Sequence, residues 1–198
     1  MPQAKGRKPL TIPERGPLRG EIKLAAGLDL FAIDITGAVA LDVGASTGGF
    51  TKTLLERGAE KVYAVDAGFG QLLGSLRQDP RVVNLERVNV AELTTGHVPQ
   101  AVDFVTVDVS YLSLSEAIEQ LSGAVEFAAG ARLLGLVKPM FELRLATAPT
   151  DAASVDQAID IVRSRVVLSG WEVNAVAHSP VRGSKGAIEG WVFARRAN

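Results

Sequence analysis

A short apolar run that leads into closely spaced glycines constrains the fold of this chain more than any other feature. Residues 38–43 (AVALDV) have the continuous apolar character of a buried parallel strand. A turn with Gly44, Gly48 and Gly49 follows, and helical spacing of apolar residues resumes over 50–56. Strand, tight turn and helix in this order predict an open α/β sheet, whose ligands bind at the carboxyl ends of the strands.

The same alternation continues along the chain. The apolar patterns predict further strands at 61–66, 81–85, 102–108, 131–138, 171–177 and 190–195, and helices at 21–33, 71–77, 113–121 and 152–168. We therefore expect a doubly wound, Rossmann-like α/β fold with a mostly parallel seven-stranded sheet. Because the last two strands follow each other closely, we expect them to form an antiparallel edge hairpin.

Composition and charge exclude several classes of site. The chain has no cysteine, which removes disulfides, thiolate nucleophiles and sulfur-ligated metals, and its two histidines lack ligand spacing, so we predict no metal site. No apolar stretch reaches the ~18–20 residues of a membrane span, and no signal-peptide pattern opens the sequence. We expect a cytoplasmic protein that does not contact membranes.

Basic residues are concentrated near both ends, although the net charge is only −1. We expect residues 1–19 to form a basic irregular tail and residues 20–198 to form the single folded domain. The charge clusters have two interpretations, solvated termini or a nucleic-acid contact surface. Their members are Lys5, Arg7, Lys8, Arg15 and Arg19 at one end, and Arg182, Lys185, Arg195 and Arg196 at the other.

The glycine-rich turn indicates a small ligand rather than a dinucleotide. Its spacing differs from the Gly-x-Gly-x-x-Gly pattern of dinucleotide binders. Asp66 ends the second predicted strand, where a carboxylate can accept hydrogen bonds from both hydroxyls of a ribose. Asp42 could hold the amino group of a methionine moiety directly or through water, and Asn89 an adenine edge. The alternatives to a ligand site are purely structural: a tight turn that binds no ligand, and ordinary capping roles for Asp66 and Asn89.

These features together predict S-adenosylmethionine as the cofactor. The predicted cofactor-binding residues are Asp42, Gly44, Ser46, Thr47, Gly48, Gly49, Phe50, Asp66, Asn89 and Asp108.

Asp108 and Lys138 end the fourth and fifth predicted strands, so their side chains should enter the same crevice. A hydroxyl is a poor nucleophile near neutral pH and needs either a positioned base or a cation that stabilises the developing alkoxide. Lys138 is our candidate for this role, with Asp108 as its partner. Tyr111 and Phe141 could stack on a base beside the crevice, or belong to the core.

Four separated segments resemble the hemolysin A (TlyA) type of FtsJ-like RNA ribose methyltransferases. They are residues 40–51 (ALDVGASTGGFT), 62–72 (VYAVDAGFGQL), 107–114 (VDVSYLSL) and 136–142 (LVKPMFE). The resemblance runs from about Arg19 to Arg195. It implies 2′-O-methylation of ribosomal RNA with S-adenosylmethionine through a Lys-Asp-Lys-Glu tetrad. Matched by position, the tetrad is Lys23, Asp108, Lys138 and Glu189, which makes residues 20–198 the methyltransferase domain.

The resemblance is incomplete at the amino-terminal side. Members of this family typically carry an RNA-binding S4 domain ahead of the methyltransferase, and here the basic tail stands in its place. We therefore expect RNA as the substrate, with a separate RNA-binding partner in place of the S4 domain. Two alternatives stay open at this point: an O-methyltransferase of a small hydroxylated metabolite, and a catalytically silent cofactor-binding or hemolysin-like protein.

Overall fold

The computed structural model describes residues 16–197. Most of the predicted basic tail, including Lys5, Arg7, Lys8 and Arg15, lies outside these residues. The described helices are α1 (Arg19–Leu30), α2 (Gly49–Glu56), α3 (Gly74–Arg77), α4 (Leu114–Leu121), α5 (Pro139–Glu142) and α6 (Ala152–Val166). The strands are β1 (Val39–Val43), β2 (Lys61–Asp66), β3 (Val82–Glu86), β4 (Val102–Val107), β5 (Phe127–Val137), β6 (Trp171–His178) and β7 (Gly190–Arg196).

The seven strands form one sheet in the order β3-β2-β1-β4-β5-β7-β6. Strands β1 to β5 pair in parallel, whereas β7 pairs antiparallel with both β5 and β6. The predicted Rossmann-like, mostly parallel seven-stranded sheet is thus confirmed. The last two strands do pair antiparallel, but β7 lies inside the sheet between β5 and β6, and β6 alone forms this edge.

Apolar residues on both faces of the sheet make two cores. Helices α1 and α2 cover one face, where Leu24, Leu28 and Leu54 are buried. Helices α4 and α6 cover the other face. Helix α6 buries residues three, four or seven positions apart, as its sequence pattern predicts: Val155, Ala158, Ile159, Val162 and Val166.

Several element bounds differ from prediction. Helix α1 begins at Arg19 and ends at Leu30, because Ala32 has a positive φ of 49° that stops the helix. Strand β5 begins at Phe127, four residues before its apolar run, since its first residues are partly exposed and carry little pattern. The single turn α5 was not predicted at all.

Candidate active site

The four predicted tetrad residues line one cleft at the carboxyl ends of the parallel strands. Lys23 comes from α1, Asp108 follows β4, Lys138 follows β5, and Glu189 directly precedes β7. Because β7 runs antiparallel to β5, its beginning lies where the other strands end. We name this the tetrad cleft; it is lined by Arg19, Gly20, Lys23, Gly44, Ser46, Asp108, Ser110, Lys138, Ser184 and Glu189.

Lys23 and Glu189 form a buried ion pair on one side of the cleft. Lys23 Nζ donates a hydrogen bond of 2.6 Å to Glu189 Oε2, and both side chains are almost fully buried. Burial raises the pKa of Glu189, and the ammonium of Lys23 opposes this effect. Asp108 also raises the pKa of Glu189 and Lys138 lowers it, so the four charges act on one another.

Lys138 contacts three oxygen atoms on the opposite side. Its Nζ donates to Val109 O at 2.7 Å and to Ser110 Oγ at 2.8 Å, and lies 2.6 Å from Asp108 Oδ1 in an ion pair. The angles of this Lys138–Asp108 contact are not those of a hydrogen bond. The buried Asp108 Oδ1 is thus held by charge and has no hydrogen-bond partner among the described residues. The charge of Lys138 therefore compensates this buried oxygen, and Asp108 lines the cleft with the part of its side chain that stays accessible.

The glycine-rich turn is shaped by close packing within the protein. Gly44 has a φ of +89°, and a Cβ there would lie 2.5 Å from the carbonyl oxygen of Asp108. A Cβ on Gly49 would lie 2.8 Å from Cα of Gly20, where α1 crosses the turn. These two glycines bring the turn against the end of β4 and against α1. Gly48 is buried as well, at the N-cap of α2.

Asp66 lines a second cavity that continues from the tetrad cleft. Its Oδ2 accepts from Ser46 N at 2.8 Å and its Oδ1 from Gly68 N at 2.7 Å. We name this the Asp66 cavity; it is lined by Gly44, Ser46, Asp66, Ala67, Gly68, Gln71, Asp108, Val109, Ser110 and Tyr111. A carboxylate beside a glycine turn, with a second carboxylate on Asp108 in the same lining, fits a ligand with ribose hydroxyls and a positive charge.

Two predicted cofactor residues point away from this cavity. Asp42 is fully buried, and its carboxylate accepts from Thr51 Oγ1 at 2.6 Å and from Thr106 Oγ1 at 3.0 Å. Burial raises the pKa of Asp42 to about 6. Phe50 packs against Trp191 in the core, with ring centroids 6.2 Å apart. Neither side chain lines the two cavities, so a direct contact of either with the cofactor finds no support here, and a contact of Asp42 through water stays a prediction.

Two other predicted residues lie at the margin of the site. Asn89 Oδ1 accepts from Ala91 N at 3.1 Å and thereby caps a short 3-10 turn, so its role toward adenine stays a prediction. The same atom accepts from the hydroxyl of Tyr111 at 3.5 Å. The side chain of Thr47 is exposed and lines neither cavity.

A third cavity, of about 290 Å³, lies on the far side of Lys138 and Glu189 and is mostly apolar. We name it the Phe141 cavity; it is lined by Ser110, Lys138, Pro139, Met140, Phe141, Ala148, Ser184, Ala187, Ile188 and Glu189. The tetrad cleft thus lies between the Asp66 cavity and the Phe141 cavity and shares residues with both.

Sequence reasoning missed Ser110 and Ser184 as site residues. Ser110 lines all three cavities and bonds to Lys138. Its position two residues after Asp108, in the segment that leaves β4, was the available signal. Ser184 lies in a turn before the antiparallel strand β7, where the rule about strand ends gives no signal.

Within residues 16–197, no helix combines the length and the apolar character needed to cross a bilayer.

Comparisons with known proteins identify the family. Residues 18–196 match the model of the FtsJ-like methyltransferases. The chain is 40% identical over 185 residues to the 16S/23S rRNA (cytidine-2′-O)-methyltransferase TlyA of Mycobacterium tuberculosis, covering 89% of this chain and 67% of that protein. It is 35% identical over 181 residues to hemolysin A of Brachyspira hyodysenteriae, covering 84% and 71%. The chain thus spans about two thirds of the length of these relatives.

Solved structures agree with the sequence relatives. A candidate hemolysin from Streptococcus thermophilus has a TM-score of 0.83 at 30% identity, covering 98% of this chain and 70% of that chain. One from Lactococcus lactis has a TM-score of 0.82 at 32% identity, covering 90% and 87%. The chain belongs to the FtsJ-like methyltransferase family and is an S-adenosylmethionine-dependent enzyme.

Proposed function

We propose that this enzyme methylates a ribose 2′-hydroxyl of RNA, with ribosomal RNA as the substrate class, through Lys23, Asp108, Lys138 and Glu189. One observation carries the proposal: the four side chains lie together between a cavity that suits the cofactor and an apolar cavity that suits a nucleoside. The relative from M. tuberculosis is named for transfer to a cytidine 2′-oxygen of ribosomal RNA, which supports the same acceptor.

The cofactor supplies an electrophilic methyl group on a sulfonium when it is bound. Asp66 would hold the ribose hydroxyls of the cofactor, and the backbone of the turn at Gly44 would contact the cofactor from the wall of the cavity. Both residues line the same cavity. The tetrad then presents the acceptor hydroxyl to that methyl group in line with the bond that breaks.

Lys138 acts as a fixed cation in this mechanism. A lysine ammonium has three N–H donors, and three oxygen atoms already surround this one. Of these, Ser110 Oγ is on an exposed, rotatable side chain, so an incoming hydroxyl can take its place. The hydroxyl oxygen then accepts from Lys138, and the carboxylate of Asp108, which is paired with Lys138, takes the hydroxyl proton as the new O–CH₃ bond forms. The ammonium stabilises the negative charge that develops on the oxygen.

The Lys23–Glu189 pair sets the charge balance around this centre. Removing Lys23 would leave a buried carboxylate close enough to Asp108 and Lys138 to change their electrostatics. The pair therefore acts as a fixed dipole beside the acceptor, which supports the developing charge without rearranging during the reaction.

Exposed basic side chains lie on segments that contribute to the cleft. Arg19 lines it, and Arg182 and Lys185 are exposed on the turn that precedes Glu189. Such residues contact phosphates without reading sequence, and they make binding strongly dependent on salt concentration. Their position favours RNA over a small neutral metabolite as the acceptor.

The test uses methyl-labelled S-adenosylmethionine with ribosomal particles, naked ribosomal RNA or a metabolite extract. We expect label in RNA at a position that resists alkaline hydrolysis, because a 2′-O-methyl group removes the attacking hydroxyl. Lys138→Met should abolish labelling, whereas Lys61→Met, at the amino end of β2 and away from the cleft, should retain it. Label in small molecules alone, or in alkali-sensitive RNA positions, would contradict the proposal.

A separate RNA-binding partner and a cytoplasmic location stay predictions from the sequence. The prediction of a partner is wrong if the isolated chain methylates naked RNA as efficiently as it does in a cell lysate.

A further inference from the structure

Glu142 is a buried carboxylate that none of the steps above uses. It is 7% exposed, and no Lys, Arg or His of residues 16–197 forms an ion pair with it. Its Oε1 accepts from Leu114 N at 2.5 Å and from Ser115 N at 3.3 Å. Its Oε2 accepts from Ser115 Oγ at 2.6 Å. All three donors belong to the first two residues of α4, so Glu142 connects α5 with the beginning of α4.

One end of this connection is tied to Lys138. Helix α5 is a single turn, with Lys138 as its N-cap and Glu142 as its last residue. The amides of Phe141 and Glu142 both donate to the carbonyl oxygen of Lys138, at 2.9 and 3.3 Å, and Pro139 fixes the first φ angle of the turn. The backbone of Lys138 therefore cannot move independently of Glu142.

The other end is tied to Asp108. The loop that leaves β4 carries Asp108 and Ser110 and ends where α4 begins, at Leu114. Leu114 also packs onto β5, since a Cβ on Gly135 would lie 2.6 Å from Leu114 Cδ1. The start of α4 is thus held against β5 by an apolar contact and by Glu142.

Two bridges consequently join the ends of β4 and β5. On the cleft side, Lys138 bonds to the loop at Val109 and Ser110. On the buried side, Glu142 bonds to α4 at Leu114 and Ser115. When an acceptor hydroxyl replaces Ser110, the first bridge loses one of its two hydrogen bonds and keeps the one to Val109. The second bridge, which the acceptor does not touch, then carries more of the alignment of the two strand ends.

We infer that Glu142 is a positioning residue, which keeps Lys138 aligned with Asp108 while the acceptor occupies the cleft. The inference rests on the proposed roles of Lys138 and Asp108, and it holds for any hydroxyl acceptor. Small displacements of reacting groups cost large factors in rate, and supporting hydrogen bonds outside the reacting atoms prevent them.

Glu116 offers a matched control. It is a glutamate at the beginning of the same helix, and its Oε2 accepts from Ser113 N at 3.0 Å and from Ser113 Oγ at 2.8 Å. It caps α4 locally and also forms an exposed ion pair with Arg144 at 3.8 Å, but within the described residues it makes no bond to β5 or Lys138. A variant at either glutamate weakens the beginning of α4. Only a variant at Glu142 also breaks the connection between α4 and the turn that begins at Lys138.

The experiment compares Glu142→Gln with Glu116→Gln. Glutamine keeps the size of the side chain but replaces one carboxylate oxygen with an NH₂ group. This group is a donor, so it cannot accept the hydrogen bond that the replaced oxygen accepted. We expect both variants to unfold at lower temperature. In Glu142→Gln, kcat should fall by about thirtyfold or more with the acceptor KM within about threefold, whereas Glu116→Gln should keep kcat within about threefold. Equal changes in kcat would show that Glu142 is a helix cap alone and would overturn the inference.

A second readout needs no acceptor. The ammonium protons of Lys138, identified by their loss in Lys138→Met, should give a slowly exchanging NMR signal in the wild type and in Glu116→Gln. We expect Glu142→Gln to lose this signal. Retention would contradict the inference even if the chain methylated no RNA, so the two proposals fail separately. If Glu142→Gln does not fold, Ser115→Ala removes one bond of the bridge and should give a smaller loss of the same kind.

Discussion

Lys23 Nζ and Glu189 Oε2 lie 2.6 Å apart although 166 residues separate them in the chain, and both side chains are buried. The pair joins the helix at one end of the described chain to the strand at the other. Two charges removed from water stabilise each other only as long as both are present. Because the same two residues belong to the proposed tetrad, we expect changes at this contact to affect both stability and activity.

We expect Lys23→Met to lower the free energy of unfolding by about 3–5 kcal/mol, because it leaves the carboxylate of Glu189 buried without a counter-charge. The double variant Lys23→Met/Glu189→Gln should recover part of this loss, since no lone charge remains. Urea unfolding measures both. As a control, Lys52→Met breaks the more exposed pair with Glu21 and should cost about 1 kcal/mol or less. A double variant no more stable than Lys23→Met would contradict this account.

The turn at Gly44 gives a second prediction. A Cβ at this position meets the carbonyl oxygen of Asp108, so Gly44→Ala must displace the wall of the Asp66 cavity. We expect the affinity for S-adenosylhomocysteine, measured by calorimetry, to fall by about tenfold or more. Gly37→Ala is the control: its φ of +74° imposes the same backbone strain, about 1 kcal/mol, but a Cβ there meets nothing within 4 Å. Equal affinities of the two variants would refute the packing argument.

Asp66 should carry much of the cofactor affinity. In the proposed site Asp66 accepts hydrogen bonds from two ribose hydroxyls. Its loss would remove these charge-assisted bonds, and we expect Asp66→Ala to weaken binding of S-adenosylhomocysteine by about 10- to 100-fold. Asp79→Ala removes an aspartate whose pKa of about 2 comes from Arg81, outside the cavity, and should leave binding unaltered. Unchanged binding in Asp66→Ala would overturn the assignment of this cavity.

Asp42 makes stability depend on pH. Burial raises its pKa from 3.8 to about 6 in the folded chain, so folding favours the protonated form. This contribution is fully present below pH 3.8 and is lost as the pH rises through 6. The loss amounts to about 3 kcal/mol.

Asp42→Asn removes this titration and keeps the shape of the side chain. We expect wild type, relative to Asp42→Asn, to lose stability between about pH 4 and about pH 7, as measured by urea unfolding at each pH. The other carboxylates titrate in both proteins and cancel in the comparison. If the difference in unfolding free energy between the two proteins is the same at about pH 4 and about pH 7, the pKa of Asp42 is not raised by folding.

The parallel strands and their ends could be read from the sequence because each combines a short apolar run with a polar residue at its end. Asp108 and Lys138 follow from this rule, and the structure places them 2.6 Å apart. Lys23 and Glu189 could not be found in this way. One lies on a helix, and the other precedes a strand that runs against its neighbours, so a resemblance to known proteins was needed.

Two predicted cofactor residues whose side chains are buried in the protein show a different limit. Phe50 stands four positions before Leu54, and this spacing puts both side chains on the buried face of α2. The helical spacing therefore predicts the place of Phe50 better than its position next to the glycine-rich turn does. Asp42 lies between Leu41 and Val43 in a strand covered on both faces, where even a carboxylate is enclosed. Helix α5 is one turn long, too short for any periodicity, and so the place of Glu142 was hidden as well.

The position of β7 has a consequence for synthesis. Translation delivers β7 after the other six strands of the sheet, yet β7 lies inside the sheet, between β5 and β6. A nascent chain that has emerged only as far as β6 lacks both the strand that joins β6 to the sheet and the carboxylate that pairs with Lys23. Non-local pairings of this kind form late in folding. A chain that stops before β7 therefore lacks both a strand inside the sheet and Glu189, and we expect it to transfer no methyl group.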